Sequence, residues 1–287
     1  CRNSAPSRFD RVVIESDVRA ILRSASAGAW WAFASCSAKL RTGFRCRPLH
    51  VSRLGIASSP TDISETMAPT LGYWNIRALA QFCRNVLVYK GVHFEDKQYK
   101  FGPAPDFDRS DWLKEKFTLG LEFPNLPYFI DGDVKLTQSL AILRYLGRKY
   151  DLAAKSDEEA VEVDLLEQQA RDLSTGLLMA TAPSPNYQEN VKKYEENVIN
   201  LLKPWAEHLK TRKWALGDRL TYVDFLLYEG LDWHHEFKAD AFGDFPMLLE
   251  YLKRFEDLPN LKEYFASDKY GKYPIVGPHR KWGFKKE

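Results

Sequence analysis

Tyr73 and Trp74 close a short apolar run, Thr70-Leu71-Gly72-Tyr73-Trp74, that reads as a strand running into a loop. A phenol at a strand end is ordinarily core or rim. Beside a weak acid it does more: a hydrogen bond donated to the ionised form lowers that acid's pKa, by about 1.4 kcal/mol per unit. Trp112 and Lys116 stand four apart, so one helical turn puts an indole N–H and an ammonium on a common face. Lys116 alone reads as a solvated surface charge. Gln138-Ser139 open an amphipathic run carrying Leu140, Leu143, Tyr145 and Leu146. A helix start there exposes backbone N–H groups and the dipole end that favours an anion, which is compatible with plain capping. Cys83 has no cysteine partner and lies on an apolar helical face, where a thiol behaves as a small hydrophobe. His234 and His235 are adjacent, and adjacent helical residues point to different faces. With no Cys-x-x-Cys pair or His-rich spacing, no metal is expected.

The elements that must position these groups follow from periodicity. Ala78 to Lys90 places Leu79, Phe82, Cys83, Val86 and Leu87 at helical spacing, and Gly91 is a suitable stop. His93 to Lys100 alternates as a half-buried strand. FGPAPDFDRSDW, with two prolines, reads as irregular. Leu126–Ile130 and Val134–Leu136 flank Asp131-Gly132-Asp133, a hairpin signal. The order β-α-β then β-β-α describes an α/β thioredoxin-like domain over 67–150. After a linker at 151–156, residues 157–287 read as an all-α helical bundle. Its helices fall near 157–182, 188–210, from Thr221, 246–256 and 259–268. Thr221 with Asp224 three residues on, and Leu220 before them, has the form of a capping box with a hydrophobic staple.

The chain is 45% apolar and 28% charged, without an apolar run near the roughly 20 residues of a membrane helix. Residues 1–66 carry ten Lys/Arg, nine of them Arg, against five Asp/Glu. That leaves 31 of the 41 basic and 34 of the 39 acidic residues for 67–287. The latter part is therefore slightly acidic, and nucleic acid is not expected as a partner. Three of the four cysteines lie in the first 66 residues, so no disulfide framework belongs to the rest, which suits a reducing, cytoplasmic compartment. The first methionine is Met67. A transit peptide fits the Arg- and Ser-rich composition of 1–66, but Asp10, Glu15 and Asp17 weaken it. The preferred reading is a poorly ordered, non-native extension.

The strings LGYWNIRALAQFCR, APDFDRSDWLKEKFTLGLEFPNLPYFIDGDVKLTQSLAILRYL and KWALGDRLTYVDFLLYE fall in one order, with an insertion at 101–112. Together they closely resemble cytosolic glutathione transferases of the mu class, over essentially all of 67–287. The resemblance implies a homodimeric transferase that adds the thiolate of glutathione to hydrophobic electrophiles, with no cofactor beyond that co-substrate. By resemblance Tyr73 activates the thiol. Trp74, Arg109, Trp112 and Lys116 surround the glycyl end, and Asn125, Leu126 and Pro127 present an extended edge to the cysteinyl unit, with Leu126–Pro127 cis. Gln138 and Ser139 take the γ-glutamyl carboxylate, and Asp172 reaches the γ-glutamyl ammonium from the partner subunit. Ile76, Leu79, Leu178, Ala182 and Val276, together with Trp74, line the electrophile site. Phe123 is expected to wedge into the partner and Arg144 to pack at the two-fold axis; on sequence alone Phe123 is more simply core. Ala182 stands where the resemblance places a second tyrosine, and Tyr187 follows in the same loop. Weaker epoxide opening with aromatic substitution retained is the expectation. A non-catalytic ligand carrier of the same fold and a glutathione-dependent isomerase are the alternatives. The physiological electrophile is not legible, because apolar pockets discriminate weakly.

Overall fold

A computed structural model describes residues 67–284, so the expectations for 1–66 lie outside the described residues. The strands are β1 (Thr70–Trp74), β2 (Glu95–Tyr99), β3 (Tyr128–Asp131) and β4 (Val134–Thr137). They form one sheet in the order β2-β1-β3-β4. β1 runs parallel to β2 and antiparallel to β3, and β3 pairs antiparallel with β4. The helices of this part are α1 (Gln81–Tyr89), α2 (Ser110–Leu113) and α3 (Ser139–Lys149). This is the thioredoxin-like arrangement. It is followed by α4 (Asp157–Ala180), α5 (Tyr187–Leu209), α6 (Tyr222–Phe237), α7 (Pro246–Glu256) and α8 (Leu261–Phe265), an all-helical part.

Local chemistry sets these boundaries. The helical run expected from Ala78 starts as a 3-10 turn at Ala78–Ala80 before α1 begins, and Gly91, at φ +63°, ends it. Asp131 pairs with Val134, leaving Gly132-Asp133 as a two-residue turn with Gly132 at φ +60°. Ser156 caps α4 by accepting the Glu159 N–H at 3.2 Å, and three acids fill the first turn. Thr221 and Asp224 form the complete capping box of α6.

One stretch departs from expectation. The insertion at 101–112 is not irregular throughout: the Asp108 carboxylate accepts the Ser110 N–H at 3.0 Å and starts α2. The prolines lie upstream, so nothing prevents that turn.

The described residues belong to one compact unit. A single core runs through both parts, from Leu71, Val86 and Phe129 to Leu173, Phe225 and Tyr251. A buried ionic contact joins the parts as well. Arg77, 1% exposed, donates to Glu229 at 2.9 Å and Asp232 at 2.8 Å on α6. Glu229 accepts further from Asn85 and from the Trp233 indole, each at 3.1 Å. One guanidinium answers two carboxylates here, and removing it would leave both acids buried without their counter-ion.

Candidate active site

Tyr73 lies at the C-terminal end of β1, where an α/β sheet ordinarily presents its ligand crevice. Its side chain is 6% exposed and packs with Ile76, Ala78 and Ala80, with Trp74, Phe101 and Leu126 around them. The phenol oxygen accepts the Leu79 N–H at 3.4 Å. Burial pushes the phenol up to about 12, opposed by the Leu79 N–H and the charges of Arg84 and Arg280. A neutral O–H at the mouth of the sheet is thus available to donate.

The loop beyond Tyr73 is held from several sides. Ile76 donates back to the Trp74 carbonyl at 2.7 Å, and the Ile76 carbonyl accepts from Arg84 at 2.9 Å. Arg84 in turn grips Asp96 through Nε at 3.0 and 3.1 Å. Arg77 and Ala78 donate their N–H groups to Pro274 and Ile275 of the C-terminal segment, at 3.0 and 2.9 Å. Ala78 sits at φ +25°, a conformation L side chains adopt reluctantly.

A second cluster positions the insertion. Trp112 is 5% exposed and stacks on Tyr128, with the ring of Tyr99 edge-on at 5.2 Å. Tyr99 donates to Glu115 at 2.9 Å and shares a 2.9 Å contact with the Tyr128 hydroxyl. The Lys116 N–H bonds the Trp112 carbonyl at 3.0 Å, so the turn continues past α2 and the two side chains share a face as the spacing requires. Trp74 and Leu126 touch this cluster and the one around Tyr73, joining the two. Arg109, exposed, is the residue before α2. Asn125 bonds the Leu126 N–H through its own side chain at 2.9 Å, and Leu126–Pro127 is cis. Gln138, at φ +72°, precedes Ser139, the first residue of α3, and the Ser139 carbonyl accepts from the Cys83 thiol at 3.8 Å. Cys83 itself is fully buried.

The electrophile-side residues divide. Ile76 and Leu79 flank the phenol. Val276, 2% exposed, and Leu178 belong to an apolar group with Leu177, Trp233 and Ile275. Ala182 follows α4 half-buried, and Tyr187 begins α5 beneath the Lys281 ammonium, 4.9 Å from its ring. Asp172 is exposed on α4. Phe123 is 69% exposed, not core. Arg144 is engaged inside its own chain, as a bidentate pair with the buried Glu167 at 2.6 Å for both contacts. His234 turns inward to Tyr194, whereas His235 meets Phe242 edge-on.

Sequence reasoning missed Phe101, His279, Arg280, Arg84 and Glu115. Phe101 stacks on Trp74 at 4.2 Å, and His279 meets Phe101 and Phe107 edge-on, so the C-terminal segment and the insertion touch across the mouth. An open groove of about 890 Å³ lies elsewhere, along β2 and α8 between His93, Gln98, Tyr264 and Lys269. None of the candidate residues line it, and the position of Tyr73 at the carboxyl end of β1 argues for the sheet end instead.

Comparison with known proteins places the chain in a family. Residues 69–148 match the family profile "Glutathione S-transferase, N-terminal domain", and residues 171–268 match "Glutathione S-transferase, C-terminal domain". The chain is 45% identical over 219 residues to a glutathione S-transferase of Mesocricetus auratus, covering 76% of this chain and all of that one. It is 45% identical over 216 residues to glutathione S-transferase Mu 2 of Rattus norvegicus, covering 75% and 99%. Among solved structures, the glutathione S-transferase Blo t 8 aligns with a TM-score of 0.69 at 37% identity, covering 75% of this chain and 99% of that one. A Pi-class enzyme of Onchocerca volvulus aligns less well, at 0.65 and 30%, covering 75% and all of it. With two domain profiles in series, a phenol at the end of β1 and relatives named Mu along the whole of their length, the chain belongs to the glutathione S-transferase family, in its mu class.

Proposed function

We propose that this chain conjugates reduced glutathione to hydrophobic electrophiles, with Tyr73 donating its O–H to the glutathione sulfur. One observation carries the reading. The Tyr73 oxygen accepts from Leu79, which leaves its own proton for a ligand, and burial holds the phenol neutral up to about 12. A neutral donor beside sulfur favours thiolate over thiol, and the thiolate is the nucleophile. Sulfur then attacks an electrophilic carbon by aromatic substitution, conjugate addition or epoxide opening. A ligand carrier of the same fold has no need of that phenol.

In this reading Trp112, Lys116 and Arg109 hold the glycyl end, with Trp74 nearby. The Asn125-Leu126-Pro127 edge takes the cysteinyl unit. Gln138 and Ser139, at the N-terminus of α3, take the γ-glutamyl carboxylate. Asp172 comes from a second copy, so the working form is a homodimer in the cytoplasm, and no metal takes part. Without a second tyrosine at Ala182, epoxides are poorer substrates than aryl halides. A high epoxide rate abolished by Tyr187→Phe would contradict that point.

The test is conjugation of glutathione to chlorodinitrobenzene by wild type and Tyr73→Phe. A hydrogen bond to a charged group is worth about 1.5–3 kcal/mol, so kcat/KM is expected to fall about ten- to a hundredfold. The pKa of the bound thiol should rise in parallel. Equal rates for the two proteins would sink the role of Tyr73.

A further inference from the structure

The electrophile side of Tyr73 is walled by the C-terminal segment, and that segment carries a cation. The Ile275 and Val276 N–H groups both donate to the Gly283 carbonyl, at 2.7 and 3.2 Å, closing the segment into a loop. Within it the Arg280 N–H donates to the Gly277 carbonyl at 3.1 Å. The loop is fixed from outside by Ala78 on the Ile275 carbonyl, by Trp282 against Phe237, and by His279 against Phe101. A side chain on such a loop has a defined place.

Arg280, half-buried, reaches from this loop to the carbonyl of Leu178. That carbonyl is one of those the end of α4 leaves unpaired: Thr181 and Ala182 bond instead to Leu177 and Met179. Capping the helix uses one of five guanidinium donors. Among the described residues no other acceptor and no carboxylate partner engages Arg280. The other half-buried or buried arginines near the site, Arg77, Arg84 and Arg144, are all paired with carboxylates. The loop that carries Arg280 meets the surroundings of the phenol: Ala78 and Phe101, which pack with Tyr73, contact Ile275 and His279 of the same loop, and the Arg280 charge lowers the Tyr73 phenol against its burial. A fixed, half-buried cation with free donors, anchored on the Leu178 carbonyl in the loop that contacts Ala78 and Phe101, is chemically a receptor for an anion.

We propose that Arg280 is a specificity-determining residue of the electrophile site, selecting electrophiles that carry a carboxylate over neutral ones of the same shape. The proposal rests on the transferase reading above. It treats the cap on α4 as the anchor that holds the guanidinium in place and the remaining donors as the substrate contact.

The test uses the full chain and two aryl chlorides, chlorodinitrobenzene and its carboxylated analogue 4-chloro-3,5-dinitrobenzoate, and reads the ratio of their kcat/KM values. Arg280→Gln keeps an N–H for the Leu178 carbonyl while removing the charge. Arg280→Lys keeps the charge. The expected result for Arg280→Gln is a fall of about tenfold or more in the ratio of carboxylated to neutral substrate, carried mainly by KM of the carboxylate. Arg280→Lys should stay within about threefold of wild type. An unchanged ratio, or equal losses on both substrates in both variants, would reduce Arg280 to a helix cap and overturn the proposal. Inactivity of the wild type on both substrates would instead overturn the transferase reading.

Discussion

Gly72 and Tyr73 divide two tasks on one strand. Tyr73 presents the phenol, and Gly72 gives Tyr128 room to lie against the backbone. A Cβ built at Gly72 would come 2.1 Å from ring carbons of Tyr128, which is held in turn by Tyr99 and by its stack on Trp112. Gly72→Ala is therefore an overpacking change with nowhere to relax, expected to cost about 2–3 kcal/mol by urea unfolding. It should also weaken glutathione affinity through Trp112; an unchanged unfolding midpoint would show that Tyr128 moves freely. At this scale the sequence was informative where the proposed glutathione contacts sit in contiguous strings. Tyr73, Trp74, Trp112, Lys116, Gln138 and Ser139 lie inside such strings, so the sequence alone was enough to propose them. Arg280 and His279 could not be proposed that way, because their position depends on where a segment without periodicity folds back, and no local pattern encodes that.

Among the elements, α6 carries two buried ionisable groups whose effects on stability oppose one another. Burial pushes Asp224 up from 3.8 to about 6, even though it accepts from Ala215, Thr221 and Tyr251. Between those values the folded chain binds more protons than the unfolded one, so this group's stability contribution is lost as pH rises through about 6. Burial holds His234 down from 6.5 to about 4. There the unfolded chain binds more protons, so this contribution is lost as pH falls from 6.5 toward 4. Each effect amounts to about 3 kcal/mol, and the two nearly cancel across the shared window. Unfolding measured from pH 4.5 to 7.5 should separate them. Asp224→Asn should gain stability steeply as pH rises, and His234→Gln should lose it over the same range. Curves parallel to wild type in both variants would mean that neither group titrates as described. The start of α6 was readable because a capping box is a local pattern of residue types. The state of His234 was not, since it depends on Tyr194 from α5 and on complete burial. The short turn α2 was hidden for a related reason: two upstream prolines dominated the composition, although Asp108 accepts the first N–H of the turn, that of Ser110.

For the whole molecule, the unpaired apolar surface is the instructive feature. Phe117 and Phe123 are 78% and 69% exposed, and Val161 and Leu165, one helical turn apart on α4, are 73% and 67% exposed. In the proposed homodimer Phe123 and its copy are each buried by the partner. Burying a side chain of that size contributes about 1.5–3 kcal/mol, so Phe123→Asp should weaken dimerisation about a hundredfold or more by sedimentation. Activity should fall with it, because Asp172 would no longer reach a second site. A variant that remains dimeric at micromolar concentration would remove Phe123 from the interface. The order of elements was legible in the sequence because hydrophobic periodicity reports it directly. Whether Phe123 was core or surface was not, because an aromatic residue in a loop has no period to follow.

The ionic contact of Arg77 with Glu229 and Asp232 has a consequence for any attempt to divide the chain. Cut between residues 151 and 156, the first fragment would keep a cation shaped for burial and lose both of its carboxylates. The second would hold two acids on adjacent turns of α6 with no counter-ion between them. Separation would wet these charges and, more costly, expose the apolar core that the two parts share. Each fragment would be a poor folding unit alone and a good partner for the other. The junction at residues 151–156 is thus a natural place for a split protein whose reassembly restores a complete site.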